Sequence, residues 1–220
     1  MLHLKKRHIV FIICAILIAD QVLKIYIKTH FHPGESRTVL GHWFQLYFIE
    51  NEGMAYGWQF GGGIGKLALT LFRLGAVIFG IFYLKKIIEQ KLHPGYIVLV
   101  SLIFAGALGN LIDSLFYGMI FDKSSFTSDQ ISGIFTGKGY GTFLHGNVVD
   151  MLYFPLIDTH FPTWFPIWGG KPFSFFNYIF NIADASVSVG VIGIIIFRRR
   201  FFGDDSKKNE QEEPLPLANN

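Results

Sequence analysis

Four apolar stretches, at about 9–27, 67–84, 96–117 and 178–197, alternate with clusters of basic residues, and this alternation constrains the fold more than any other feature of the chain. Each stretch approaches the roughly 20 helical residues that cross a bilayer core. Composition agrees: 51% of residues are hydrophobic and only 16% charged, against about 25% charged in a typical soluble domain. The expected fold is an all-α membrane protein of four transmembrane helices, with a small β-rich, aromatic cradle on its outer side and interfacial loops.

The basic clusters give that bundle an orientation. Lys5, Lys6 and Arg7 precede the first stretch, Lys85, Lys86 and Lys91 separate the second from the third, and Arg198, Arg199 and Arg200 follow the fourth. The positive-inside rule puts all three clusters, and with them both termini, in the cytoplasm. Segments 28–66 and 118–177 then lie outside, rich in Gly, Phe, Tyr and Trp, as aromatic structure at the membrane surface. Within them, 38–49 has the β-branched and aromatic content of a short strand or hairpin. One membrane domain is expected over 1–203, followed by a charged, disordered cytoplasmic tail at 204–220. The first stretch continues past Asp20 without a small-x-small cleavage site, so it reads as a helix and not as a cleaved leader. Cys14 is the one cysteine and Ile13 before it is bulky, which argues against a lipid-attachment site. Because the basic residues sit beside apolar runs and form no broad stripe, no nucleic-acid partner is expected.

Ionisable groups inside spanning helices are costly, about 2.5–3.5 kcal/mol for a central Asp or Lys on insertion scales, and are functional candidates for that reason. Asp20 and Lys24 lie in the first stretch, Asp113 in the third and Asp184 in the fourth, about two turns from its expected start; Asp150 sits in the apolar run Val148–Phe154. All fall toward the outer end. Three of the acids follow an Asn by three residues, in Asn110-Leu-Ile-Asp113, Asn147-Val-Val-Asp150 and Asn181-Ile-Ala-Asp184. On a helix this spacing puts each amide on the face of its own carboxylate.

Two carboxylates sharing a partly desolvated site cannot both ionise, so one is available as a base and the other as an acid. Aspartyl proteolysis needs this division of labour, although neither role belongs to one residue while the pair titrates as a unit. Plainer readings stand beside it. Asp20 and Lys24, four apart, can neutralise one another with Lys24 snorkelling outward; Asp113 can brace the third helix; Asp150 can be an ordinary interfacial acid. Asp184 is harder to explain structurally, because a buried acid there needs a partner that the fourth helix does not supply unless Asn181 or Ser188 suffices. Gly106 and Gly109 read as a close-packing face. The run Gly61–Lys66 lacks the spacing of a phosphate loop, and the eight histidines have no zinc-binding arrangement, so neither metal nor cofactor is expected. An ion- or proton-coupled transporter is the alternative use of intramembrane acids.

Five segments in order, Asp20-Gln-Val-Leu-Lys24, Asn51-Glu-Gly-Met-Ala-Tyr56, Gly106-Ala-Leu-Gly-Asn-Leu-Ile-Asp113, Val148-Val-Asp150 and Phe180-Asn-Ile-Ala-Asp-Ala-Ser186, resemble the characteristic segments of lipoprotein signal peptidase, also called signal peptidase II. The resemblance implies a metal-free aspartyl endopeptidase of the bacterial inner membrane, active toward the periplasmic face. Its implied substrate is a prolipoprotein cut just before a cysteine that already carries diacylglycerol. Membrane lipids and globomycin-type inhibitors are further implied partners, and the chain is expected to be a monomer. By motif, Asp150 and Asp184 match the catalytic pair, while Asp20, Lys24, Asn51, Gly106, Asn110, Asp113 and Asn181 match positions that line the site. The chain departs from the family pattern at Ser114, where relatives commonly carry Arg, at Met54, and in longer outer segments at 119–146 and 155–176.

Overall fold

The computed structural model describes residues 5–52, 62–125 and 131–203. In chain order they form α1 (Lys6–His30), β1 (Ser36–Leu40), β2 (Phe44–Asn51), α2 (Gly62–Glu89), α3 (Pro94–Ile112), a π-helical turn (Asp113–Tyr117), α4 (Gly118–Ile120), β3 (Val148–Tyr153), β4 (Ile157–His160), β5 (Pro172–Phe175), β6 (Ile179–Phe180), α5 (Ile182–Ile196) and α6 (Arg198–Phe202). Met54 and the tail expected to be disordered lie outside the described residues.

Among the described residues, three helices are long and apolar enough to cross a bilayer: α1, α2, and α3 continued through the π-turn and α4. The fourth apolar helix, α5, has 15 residues, fewer than the roughly 20 of a full crossing. Large side chains such as Phe11, Phe72, Phe79 and Ile195 are about 70% exposed on these helices. An aqueous surface would penalise such a belt, whereas hydrocarbon accepts it.

The fourth helix starts later than the expected 178. Ile179 and Phe180 pair with Tyr153 and Leu152 of β3, and Asn181, in an extended conformation, caps the helix by accepting a hydrogen bond from the Asp184 amide at 2.8 Å. Strand pairing therefore takes residues that apolar content alone assigned to the helix. Asp184 consequently belongs to the first turn of α5 and is not two turns deep. The third helix departs too, because its expected end at 113–117 is a π-turn. Gly146 donates to the Ser114 carbonyl at 2.9 Å and Leu144 to that of Leu115 at 3.2 Å, so the loop before β3 takes up backbone acceptors of the turn.

α3 is the central helix, packed against α1, α2 and α5. A Cβ at Gly106 would stand 2.2 Å from the Ala183 carbonyl oxygen, and one at Gly109 would stand 2.9 Å from Asp20 Oδ2. Facing them, a Cβ at Gly190 would meet the Leu99 carbonyl oxygen at 2.7 Å. Glycine on both partners lets the backbones touch, which is the small-residue packing expected where no water drives helices together.

Four antiparallel strands in the order β1-β2-β3-β6 form a sheet, and the β1–β2 hairpin coincides with the strand expected at 38–49. Ile27 of α1, Phe31 just after it, Phe48 of β2, Val149 and Met151 of β3, and Tyr117 and Phe121 after α3 make one buried cluster where sheet and helices meet. A second cluster, including Ile9, Leu84, Ile87 and Tyr96, closes the other end of the bundle. Within the long segment 155–176, β4 and β5 form a separate hairpin, with Thr159 opposite Phe173.

Candidate active site

β3 carries Asp150 into the protein. Residues Val148 to Met151 are all buried, because the strand lies between β2 and β6 and also contacts α1 and the π-turn. Asp150 is 5% exposed. β6 runs beside β3 and ends just before Asn181, so the strand pairing that fixes Asp150 also delivers Asn181 and, one turn later, Asp184.

Two amides join these acids. Asn181 Nδ2 donates to Asp150 Oδ1 at 2.6 Å and to Asn110 Oδ1 at 3.2 Å. Asn110 Nδ2 donates to Asp184 Oδ1 at 2.7 Å. Asn51 approaches Asp150 Oδ2 from β2 at 3.4 Å. The chain of contacts therefore runs Asp150, Asn181, Asn110, Asp184, with Asp150 buried and Asp184 half-buried. Burial, then the neighbouring Asp184 charge, pushes the Asp150 carboxyl up to about 7, and the Lys24 charge with the hydrogen bonds from Asn181 and Asn51 only partly opposes this.

Behind the pair lies a buried ion cluster. Lys24 Nζ is 2.8 Å from Asp20 Oδ2, 2.8 Å from Asp113 Oδ2 and 2.8 Å from Asn110 Oδ1, which occupies all three ammonium donors. Gln21 donates to Asp113 Oδ1 at 2.8 Å and accepts from the Tyr117 hydroxyl at 3.1 Å. Asp20 Oδ1 accepts from the Ala183 amide at 2.9 Å, placing a carboxylate at the start of α5, where free N–H groups favour negative charge. Lys24 thus reaches Asn110, which in turn holds Asp184.

The acids expected together do converge, but by contacts other than the repeated Asn-x-x-Asp spacing suggested. Asn110 bonds Asp184 and not Asp113. Asn147 precedes a strand, so its side chain does not share a helical face with Asp150; it donates instead to Glu50 Oε2 at 2.7 Å and accepts from Lys66. Only Asn181 bonds its own Asp, and does so through the backbone amide. Lys24 and Asp20 do pair, yet Lys24 is fully buried and does not snorkel.

Sequence reasoning missed a second polar cluster and one arginine. Lys28, fully buried, pairs with Glu50 and lies near the Phe48, Phe121 and Tyr140 rings. Burial would raise the Glu50 carboxyl, but the Lys28 charge, followed by hydrogen bonds from Lys28, Ser124 and Asn147, outweighs it and holds Glu50 below its ordinary value. Arg73, on α2, donates from Nη1 to Ser114 Oγ at 2.7 Å. Its position inside an apolar span was the available signal.

An apolar helix bundle joined at one end to a small antiparallel sheet, with carboxylates from two different elements held by bridging amides, defines an integral membrane protein built around an acid pair. The family model described as signal peptidase (SPase) II matches residues 12–199. A lipoprotein signal peptidase of Porphyromonas gingivalis is 46% identical over 187 residues, 84% of this chain and 80% of the relative. Those of Amoebophilus asiaticus, at 31% identity over 90% of this chain and 80% of the relative, and Staphylococcus carnosus, at 33% over 84% and 86%, also match. A bacterial membrane enzyme solved by the in meso method superposes with a TM-score of 0.55 at 26% identity, covering 96% of this chain and 95% of the other. The chain belongs to the signal peptidase II family, a family of bacterial membrane proteases. Membership decides between the peptidase and transporter readings in favour of the peptidase.

Proposed function

We propose that this protein removes signal peptides from diacylglyceryl-modified prolipoproteins, with Asp150 and Asp184 as its catalytic pair. The observation that carries the assignment is the amide chain from Asp150 through Asn181 and Asn110 to Asp184. It ties two carboxylates, distant in sequence, into one hydrogen-bonded unit. Burial and the neighbouring carboxylate favour the protonated form of Asp150, and the two carboxyls share one proton. The ionised member of the pair takes a proton from a water that attacks the scissile carbonyl, while the protonated member donates to the developing oxyanion. Lys24 and the acids around it position this unit by fixing Asn110 and the start of α5.

In the membrane, α5 is the fourth crossing, both termini face the cytoplasm, and the acid pair lies toward the periplasmic side beneath the sheet. The basic residues at both termini and between α2 and α3 support this orientation. A site at the outer ends of the helices suits a substrate whose acyl chains remain in the bilayer. The enzyme acts as a monomer and is blocked by globomycin-type inhibitors.

The test is turnover of a diacylglyceryl-modified precursor peptide by purified protein, with and without globomycin. Asp150→Asn and Asp184→Asn are each expected to abolish cleavage while the protein remains folded and inserted. Cleavage retained by either variant removes that residue from the pair.

A further inference from the structure

The cation on α2 is held very differently from the one on α1. Lys24 is enclosed by two carboxylates and an amide oxygen. Arg73 has five N–H donors, yet among the described residues it makes one hydrogen bond, to the neutral Ser114 hydroxyl, and no ion pair. It is half-buried, in a helix that is otherwise apolar around it, where an arginine is disfavoured unless it has work to do.

Its anchor points toward the acid pair. Ser114 Oγ, which accepts from Arg73, donates to the Asn110 carbonyl oxygen at 2.9 Å, and the Asn110 amide holds Asp184. The acids whose charges Arg73 senses are Asp113, Asp184 and Asp150. A guanidinium serving only as their counter-ion would seat on a carboxylate with paired N–H groups. Arg73 instead is steadied, among the described residues, by one neutral hydroxyl, which leaves N–H donors for a further acceptor.

We propose that Arg73 binds substrate, its open N–H donors taking a backbone carbonyl oxygen of the peptide beside the scissile bond while Ser114 fixes the guanidinium. The inference rests on the peptidase reading above. A planar guanidinium can hold such an oxygen in a set direction, which would align the peptide across Asp150 and Asp184.

The experiment compares wild type, Arg73→Met and Arg73→Lys on a diacylglyceryl-modified peptide. Turnover by wild type tests the peptidase reading separately from the role of Arg73. Loss of a charged hydrogen bond to substrate is expected to raise KM for Arg73→Met about ten- to a hundredfold, with Arg73→Lys intermediate. Affinity for the uncleaved peptide, measured in the Asp150→Asn background, is expected to weaken by the same factor, a readout that does not need catalysis. The defect is expected to be equal on a peptide whose lipid chains are ether-linked. If it vanishes there, the acceptor is a lipid ester carbonyl and the peptide assignment is overturned. Unchanged KM and affinity in Arg73→Met, or lower kcat with unchanged affinity, would also overturn it. Should Arg73→Met fail to fold, Arg73→Lys is decided by the same KM and affinity measurements.

Discussion

Asn181 donates to Asp150 Oδ1 at 2.6 Å through its amide nitrogen while its amide oxygen accepts from the Asp184 backbone at 2.8 Å. One side chain thus caps α5 and holds one acid of the pair against the helix that bears the other.

These two duties can be separated. Asn181→Ser keeps a capping oxygen but loses the amide donor to the buried Asp150, so it should cost about 1–3 kcal/mol in stability and most turnover. Asn181→Ala should lose turnover and, in addition, about 1 kcal/mol from the missing cap. Thermal unfolding in detergent beside precursor cleavage distinguishes them; equal melting temperatures for the two variants would contradict the capping role.

The raised Asp150 carboxyl links stability to pH. It titrates near 7 in the folded protein and near 4 in an unfolded chain, so between those values the folded state binds more protons. Stability should therefore fall as pH rises from about 4 to 7, by on the order of 4 kcal/mol, and level off above. Asp150→Asn should remove this contribution, and a melting-temperature series over pH 5–8 for both proteins checks it. The alkaline limb of activity should fall in the same region, because the acid of the pair is lost there.

Lys24→Met would leave Asp20 and Asp113 facing each other, both buried, without their common cation. The expected cost is about 3–5 kcal/mol. The triple variant with Asp20→Asn and Asp113→Asn should regain much of it, since no uncompensated charge then stays buried. Chemical unfolding in micelles measures both; no recovery in the triple variant would count against the ion cluster as the cause.

Gly106→Ala puts a methyl 2.2 Å from the Ala183 carbonyl oxygen, so α3 and α5 must separate. A loss of about 1–3 kcal/mol is expected, with a fall in turnover because Asn110 and Asp184 sit on the separated helices. Gly75→Ala, where an added Cβ meets nothing within 4 Å, is the matched control in a spanning helix.

Much of this architecture could be read from the chain alone, because the bilayer allows few solutions. Long apolar runs must be helices, and acids within them must converge or be paired. That logic finds α1, α2 and α3, singles out Asp20, Lys24, Asp113, Asp150 and Asp184, and marks Gly106 and Gly109 as packing positions. Tertiary structure alone decided which amide serves which acid. Asn110, Asn147 and Asn181 share one spacing, but the first lies on a helix, the second before a strand and the third at a helix cap, so their side chains point to different partners. The late start of α5 has the same origin, since pairing of Ile179 and Phe180 with β3 is non-local and leaves no mark on apolar periodicity. Likewise Arg73 and Ser114, 41 positions apart, meet only because α2 packs against α3.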